Sequence, residues 1–189
     1  MCRFEITRRV PANHLCQLPP LWYNRSMNET ERIGSFAPVA DSRSETLILG
    51  SIPGAESLRK QQYYGFERNA FWRVMFVLLD EPPTDDYEEK KRVLLRHGIA
   101  LWDVIESCER AGSLDANIKN AKANDFASFF AAHPRIRRVF FNGQKAHNTF
   151  KRQVGMVFDG ISFTALGSTS PAHAVPFEKR IADWRQICE

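Results

Sequence analysis

From residue 45 onward the apolar positions keep two alternating rhythms. TLILG (46–50) is a short unbroken apolar run closing on glycine, the pattern of a buried strand. In NAFWRVMFVLLD, Phe71, Val74, Met75 and Leu78 fall at i, i+3, i+4 and i+7, one face of a helix, and Asn69 stands where an N-cap belongs. DDYEEKKRVLLRHG predicts a second helix stopped by Gly98, and GIALWDVI (98–105) a second strand. A polar connector, ESCERAGSLDANIKNAKAND, leads to a helix that carries Phe126, Phe129 and Phe130 and ends before Pro134. IRRVFFNG (136–143) predicts a third strand, GQKAHNTFKRQ the helix after it, and ISFTALG (161–167) a fourth strand, followed by the loop GSTSPAHAVP. In the last helix Phe177, Ile181, Trp184 and Ile187 share one stripe.

Four strands with intervening helices predict an α/β fold of three layers, helix–sheet–helix, around a central, mostly parallel four-stranded sheet. Sheets of this kind place ligand sites at the carboxyl ends of their strands. Four loops collect there: SIPG, WD, NG and GSTSPAHA. Residues 1–34 contain LPPLWYNRS and little periodicity, and read as a poorly structured extension to a domain over 35–189. Met27 lies shortly before the apparent domain start at SFAPVADSRSETLILG, which leaves open that residues 1–26 are an upstream reading artefact.

Composition adds boundaries. The 189 residues are 43% hydrophobic, 25% charged and 12% aromatic, enough apolar material for one core. A net charge of +4 leans mildly toward a polyanionic partner. The cysteines, Cys2, Cys16, Cys108 and Cys188, form no C-x-x-C pair and are too sparse for a disulfide framework, so reduced thiols in a cytoplasmic protein are expected. No apolar run reaches the roughly 18 residues of a membrane span, and the N-terminus has no apolar signal centre.

In the first loop, GSIPG, a glycine at a strand end and a Pro–Gly turn let backbone N–H groups approach a ligand; an ordinary turn reads the same way. It is neither a Walker A loop nor G-x-G-x-x-G, which weighs against nucleotide triphosphates and dinucleotides. QQYYGFERNAFW adds aromatic surface for stacking on a base. Phe71 is expected in the core, whereas Tyr63 and Tyr64 precede a glycine in a loop, where exposure is expected. Asn69 is either a helix cap or an amide that holds water with one atom and substrate with the other. Asn142 and Asp103 have turn-stabilising readings beside any ligand role. Hydroxyl and small residues of GSTSPAHA suit phosphate oxygens, and His173 would meet a phosphate or an emptied base position, or do neither. Arg135, Arg137, Arg138, Lys145, Lys151 and Arg152 form a basic cluster, part of which solvates helix faces. Nucleophile and metalloprotease motifs are absent from the sequence.

Taken in order, GSIPGAESL, QQYYGFERNAFW, GIALWDVIESCERAGSLD, FFNGQKA and STSPAHA resemble the uracil-DNA glycosylase superfamily, and within it the hypoxanthine-DNA (deoxyinosine) glycosylases. The resemblance spans residues 35–189. It implies a monofunctional DNA glycosylase, without metal or cofactor, that hydrolyses the N-glycosidic bond of a deaminated base and leaves an abasic site. It also implies Asn69, the Asn of the N-x-F-W segment, as the catalytic amide; Ile52, at the loop position where relatives carry an acid or amide, adds to that reading. The implied base pocket comprises Ser51, Ile52, Pro53, Gly54, Tyr64, Phe66, Asp103 and Asn142, with Tyr64 and Phe66 sandwiching the base. Ser168, Ser170, Pro171 and His173 are implied to hold the DNA backbone, although the His173 position carries Asn in many relatives. The expected partner is DNA holding a deaminated base, acted on by a monomer with no membrane attachment. Rival readings are a mismatch-specific uracil or thymine glycosylase and, from another class, a non-catalytic nucleic-acid-binding module. An unrelated nucleotide-handling α/β enzyme is a weaker third.

Overall fold

The computed structural model describes residues 32–189. The extension expected over 1–34 and the question of Met27 lie outside these residues, except for Arg32–Gly34, which are ordered as a strand. The elements run β1 (Arg32–Gly34), β2 (Thr46–Gly50), α1 (Ala55–Lys60), α2 (Phe71–Leu78), α3 (Tyr87–Arg96), β3 (Ile99–Asp103) and β4 (Ile105–Glu109). They continue with β5 (Lys119–Ala123), α4 (Phe126–Ala132), β6 (Arg138–Asn142), α5 (Gln144–Gln153), β7 (Ser162–Leu166) and α6 (Phe177–Trp184).

The four expected strands form one sheet in the order β3-β2-β6-β7, every pair parallel. Burial on both faces accounts for the unbroken apolar runs, since β2 is buried at all five positions. Alternation along β2 sends Leu47 and Leu49 to one face and Ile48 to the other. The first face packs on Phe126, Phe129 and Phe130 of α4 and Phe150 of α5. The second packs on Phe71, Val74 and Met75 of α2, Val93 and Leu94 of α3, and Trp184 of α6. Helices on both faces of a parallel sheet give the three layers that the periodicity predicts.

A second sheet was not legible in the sequence. The strands β1, β4 and β5 pair antiparallel, Arg32 opposite Glu109 and Ile105 opposite Ala123. They fall where the sequence reads as extension and polar connector, because β4 (IESCE) and β5 (KNAKA) are short, polar and largely half-exposed. The single strand expected over 98–105 is therefore two. Asp103 ends β3 in the parallel sheet, and after Val104 the chain enters β4 of the other. Val104 N–H and Ile105 N–H donate to the carbonyls of Gly50 and Ser51 (2.9 and 3.0 Å), which fixes the departure beside the end of β2.

Helix ends follow their caps. Asp86 accepts from the N–H groups of Glu88 and Glu89 at the start of α3 (2.9 and 3.4 Å). The N-cap position of α2 is Ala70, not Asn69; Asn69 instead closes an Asx turn, its Oδ1 accepting from Phe71 N–H at 3.0 Å. No described helix is long and apolar enough to cross a membrane.

Candidate active site

A cavity of about 390 Å³ opens at the carboxyl ends of the parallel strands. Six separated segments wall it: Gly50–Ser57, Tyr63 to Asn69, Asp103, Ser113–Asp115, Asn142 and Ser168–Ala172. Every residue expected at the base pocket lines it, as do Asn69, Ser168, Ser170 and Pro171. His173 does not. Its Nδ1 lies 3.1 Å from the Ser168 carbonyl, and its ring borders a separate cavity of about 170 Å³ beside Arg180 and Asp183.

The first loop is braced from the second sheet. Arg110, only 4% exposed, donates to the Pro53 carbonyl (2.6 Å) and the Gly112 carbonyl (2.8 Å). Ser51 Oγ donates to Asp115 Oδ1 at 2.9 Å, and Ala55 N–H donates to Ser113 Oγ at 3.0 Å. Nothing in the hydrophobic pattern points to Asp115 or Ser113, which sit in the polar connector; they reach the site only because β4 and β5 fold that connector back on the loop.

The opposite wall is braced by Asn142. Its Nδ2 donates to Thr169 Oγ1 and its Oδ1 accepts from Thr169 N–H, both at 2.8 Å. The Asn-Gly pair thus does more than turn the chain. Gly143 stands at φ 97°, and a Cβ there would come 3.0 Å from Ser168 Cβ, so the loop can close on it only without a side chain. Trp184 Nε1 donates to the Gly167 carbonyl, and Ala70 N–H to the Thr169 carbonyl, tying the same loop to α6 and α2.

The aromatic wall differs from expectation. Tyr63 is 3% exposed, not displayed: its hydroxyl donates toward the Phe36 and Ala37 carbonyls, and Trp72 Nε1 donates to its backbone carbonyl. Tyr64 takes a left-handed backbone (φ 52°) that turns its ring onto Phe71, centroids 3.9 Å apart. One Tyr64 face is thereby occupied, which leaves at most the other for a base. Phe66 is 40% exposed at the rim.

Asp103 is the electrostatic centre. It is 4% exposed, and its Oδ2 is buried with no hydrogen-bond partner among the described residues; neither has the Tyr64 hydroxyl. Burial first, then the nearby charge of Asp115, pushes its carboxyl up to about 8, against a smaller opposing pull from Arg110. Gly50, the register partner of Asp103, makes the room: a Cβ there would lie 2.5 Å from Asp103 Oδ1 and 3.1 Å from the Tyr64 hydroxyl. Burial and the Asp103 charge likewise raise the Tyr64 phenol, which stays protonated.

The expected basic cluster is largely elsewhere. Arg135, Arg137 and Arg138 precede or open β6, so they stand at the amino ends of the strands, about 15 Å of strand away from Asn142. There Arg138 donates to Thr46 Oγ1 and the Ile187 carbonyl, and Arg135 pairs with Glu45. Lys151 and Arg152 lie in the last turn of α5, while Lys145 lies in its first, two residues after Gly143.

The sequence profile of the uracil DNA glycosylase superfamily matches residues 37–189. The chain belongs to that superfamily. It is 39% identical over 153 residues to a hypoxanthine DNA glycosylase of Methanosarcina acetivorans, covering 80% of this chain and 95% of that protein. A hypoxanthine DNA glycosylase of Methanosarcina barkeri is 40% identical over 112 residues, 59% of this chain and 71% of the relative. Among solved structures, an NMR structure of a candidate uracil DNA glycosylase from Methanosarcina acetivorans superposes with a TM-score of 0.72 at 37% identity, covering 83% of this chain and 96% of that one. The superfamily and the three-layer α/β fold implied by the ordered loops are thus borne out.

Proposed function

We propose that this superfamily member is a monofunctional DNA glycosylase that hydrolyses the N-glycosidic bond of deoxyinosine, releasing hypoxanthine and leaving an abasic site. One observation carries the reading: six chain segments converge on a single concave cavity with a dry polar end and hydroxyl-rich lips. Its volume falls in the range of small-ligand sites, roughly 300–1,000 Å³. A base stacked in duplex DNA cannot enter such a cavity, so the nucleotide must flip out, at a cost of a few kcal/mol that is least where pairing is already poor. Relatives about 40% identical are hypoxanthine DNA glycosylases, which supports a purine rather than uracil as the principal base.

Asn69 is the residue that positions water. Its Oδ1 is fixed by Phe71 N–H, so the amide orientation is set, and its Nδ2 is left without a protein partner among the described residues. The Asx turn and the catalytic role are therefore compatible. The second Oδ1 lone pair can hold water, while Nδ2 reaches toward the sugar or base. An amide is a poor base, so the contribution is orientation of the attacking water. Ile52 offers no alternative, being an apolar side chain 7% exposed. Ser51, Ile52 and Gly54 line the same cavity, where their backbone N–H groups can bind charge on the departing base. Ser168, Ser170 and Pro171 supply the phosphate-facing lip.

The test is alkali-induced strand cleavage on labelled duplexes holding one deoxyinosine or one deoxyuridine, with wild type, Asn69→Ala and Asn69→Asp. Expected is inosine-dependent cleavage, reduced about 100-fold or more in Asn69→Ala. Asn69→Asp keeps the Phe71 contact and the fold, yet does not restore the rate. Cleavage at uracil alone would move the protein to a uracil-releasing branch. DNA binding without any cleavage would establish the binding-module reading instead.

A further inference from the structure

The mechanism above leaves the most unusual polar group at the cavity without a role. Asp103 is a carboxyl group walled off from water, aimed at the end of the cavity, with an oxygen that nothing in the protein satisfies. Buried polar atoms in folded proteins are nearly always paired, and an orphan at a ligand cavity points to a partner that arrives with the ligand. The fold gives up a side chain at Gly50 to accommodate this carboxyl. It also ends β3 at that residue and pins its backbone, the Asp103 carbonyl accepting from Asn124 Nδ2 at 2.8 Å.

We propose that Asp103 is the general acid of base release, handing its carboxyl proton to N7 of the departing purine. The inference rests on the hypoxanthine reading given above. As the C1′–N9 bond breaks, its electron pair moves into the purine ring; the Asp103 proton bonds to N7, and the base leaves as a neutral molecule. Asp103 is left as a carboxylate. A water oxygen bonds to C1′, and the proton that this water sheds passes to solvent, from which Asp103 is reprotonated. Without such an acid the base departs as an anion, stabilised only by backbone N–H groups. N7 is a hydrogen-bond acceptor on the major-groove edge of the purine, where an acid in the cavity wall can meet it once the base is flipped.

Other cavity groups do not supply this proton. Arg59 holds the Glu56 carboxyl below its ordinary range, and so ionised. The Tyr63 and Tyr64 phenols are raised by burial and the Asp103 charge, which makes them poorer acids. Asp115 engages its Oδ1 with the Ser51 hydroxyl. The groups acting on Asp103 are Asp115 and Arg110 from the second sheet, with Tyr63, Tyr64 and Tyr87 felt across the α2–α3 side. Burial and Asp115 keep its proton on up to a pH of about 8, which matches an acid used near neutrality.

The experiment is single-turnover release from duplexes holding deoxyinosine or 7-deaza-2′-deoxyinosine, whose carbon at position 7 takes no such proton, between pH 5.5 and 9.5. On deoxyinosine, the wild-type rate is expected to fall about tenfold per pH unit above about 8, where Asp103 ionises. Asp103→Asn is expected about 100-fold slower at pH 7 with a flat profile in that range. On the 7-deaza substrate the wild type loses its alkaline limb, and its advantage over Asp103→Asn shrinks to within about twofold. That arm reads the wild-type protein, so a folding defect in the variant cannot mimic it. Equal rates for wild type and Asp103→Asn on deoxyinosine would overturn the proposal while leaving the glycosylase reading intact, as would an undiminished wild-type advantage on the 7-deaza substrate. Wild type inert on deoxyinosine at every pH would overturn the functional reading and this inference with it.

Discussion

An acidic group held neutral inside a fold destabilises it as pH rises, and Asp103 offers a direct measure of that cost. Its carboxyl titrates near 3.8 when exposed and at about 8 in the folded protein. Below pH 3.8 both folded and unfolded chains carry the proton, and the group contributes nothing to pH dependence. Between 3.8 and 8 the unfolded chain releases its proton while the folded one keeps it. The unfolded state therefore binds fewer protons, and stability falls with pH by about 1.4 kcal/mol per unit. Above about 8 both states are ionised and the loss levels off. Replacing the carboxyl with the isosteric amide of Asn removes this dependence. The stability of Asp103→Asn relative to wild type should accordingly rise by about 3 kcal/mol between pH 5 and pH 7. In thermal melts, the gap in Tm should widen by roughly 5–11 °C for a chain of this size. Urea denaturation of both proteins at the two pH values, without DNA, reads the effect. Any pH-independent difference, such as poor accommodation of the amide, cancels in the comparison. A gap that stays constant from pH 5 to pH 7 would refute the reasoning, because it would mean that Asp103 ionises alike in both states.

Three further outcomes follow from contacts at the site. Asn142→Ala removes both bonds to Thr169 and should cost about 1–3 kcal/mol in urea denaturation; it should also weaken binding to an abasic duplex, measured by fluorescence anisotropy, because the Ser168–Pro171 lip is freed. Gly50→Ala puts a Cβ 2.5 Å from Asp103 Oδ1 and should cost about 1–3 kcal/mol while lowering base release more than DNA affinity. Asp115→Asn removes the second-largest influence holding the Asp103 proton on, so the alkaline limb of the rate profile should move to lower pH.

The parallel sheet was legible because two-sided burial writes itself as unbroken apolar runs, and the helices because Phe71, Val74 and Met75 keep a 3.6-residue stripe. The positions of SIPG, Asp103, Asn142 and the STSPA loop followed from the rule that parallel strands present their ligands at the carboxyl ends. What escaped was whatever depends on contacts between distant polar segments. No period marks β5 as a strand when its residues are Lys, Asn and Ala, three of the five exposed on a second sheet. Tyr63 and Tyr64 looked equally displayed, yet the left-handed turn at Tyr64 and the carbonyls of Phe36 and Ala37 bury them differently. The Arg135–Arg138 cluster looked like a DNA-binding patch because sequence gives charge density but not which end of a strand it occupies.

The small antiparallel sheet changes how the site is understood. A parallel sheet alone would leave GSIPG as a turn held by one strand, free to move as loops do. Here β4 and β5 return Arg110, Ser113 and Asp115 to it, so the loop is bonded from outside through the Pro53 carbonyl, the Ser51 hydroxyl and the Ala55 N–H. Pre-set N–H groups stabilise developing charge without reorganising at the moment of reaction, which is where most electrostatic rate enhancement originates. The same connector sets the balance of charge on Asp103, with Asp115 holding its proton on and Arg110 opposing it. A segment that reads as a polar linker thus both fixes the geometry of the loop and tunes the acidity of the group beside it. Substitutions throughout residues 105–123 should therefore register in base release even where no side chain touches DNA.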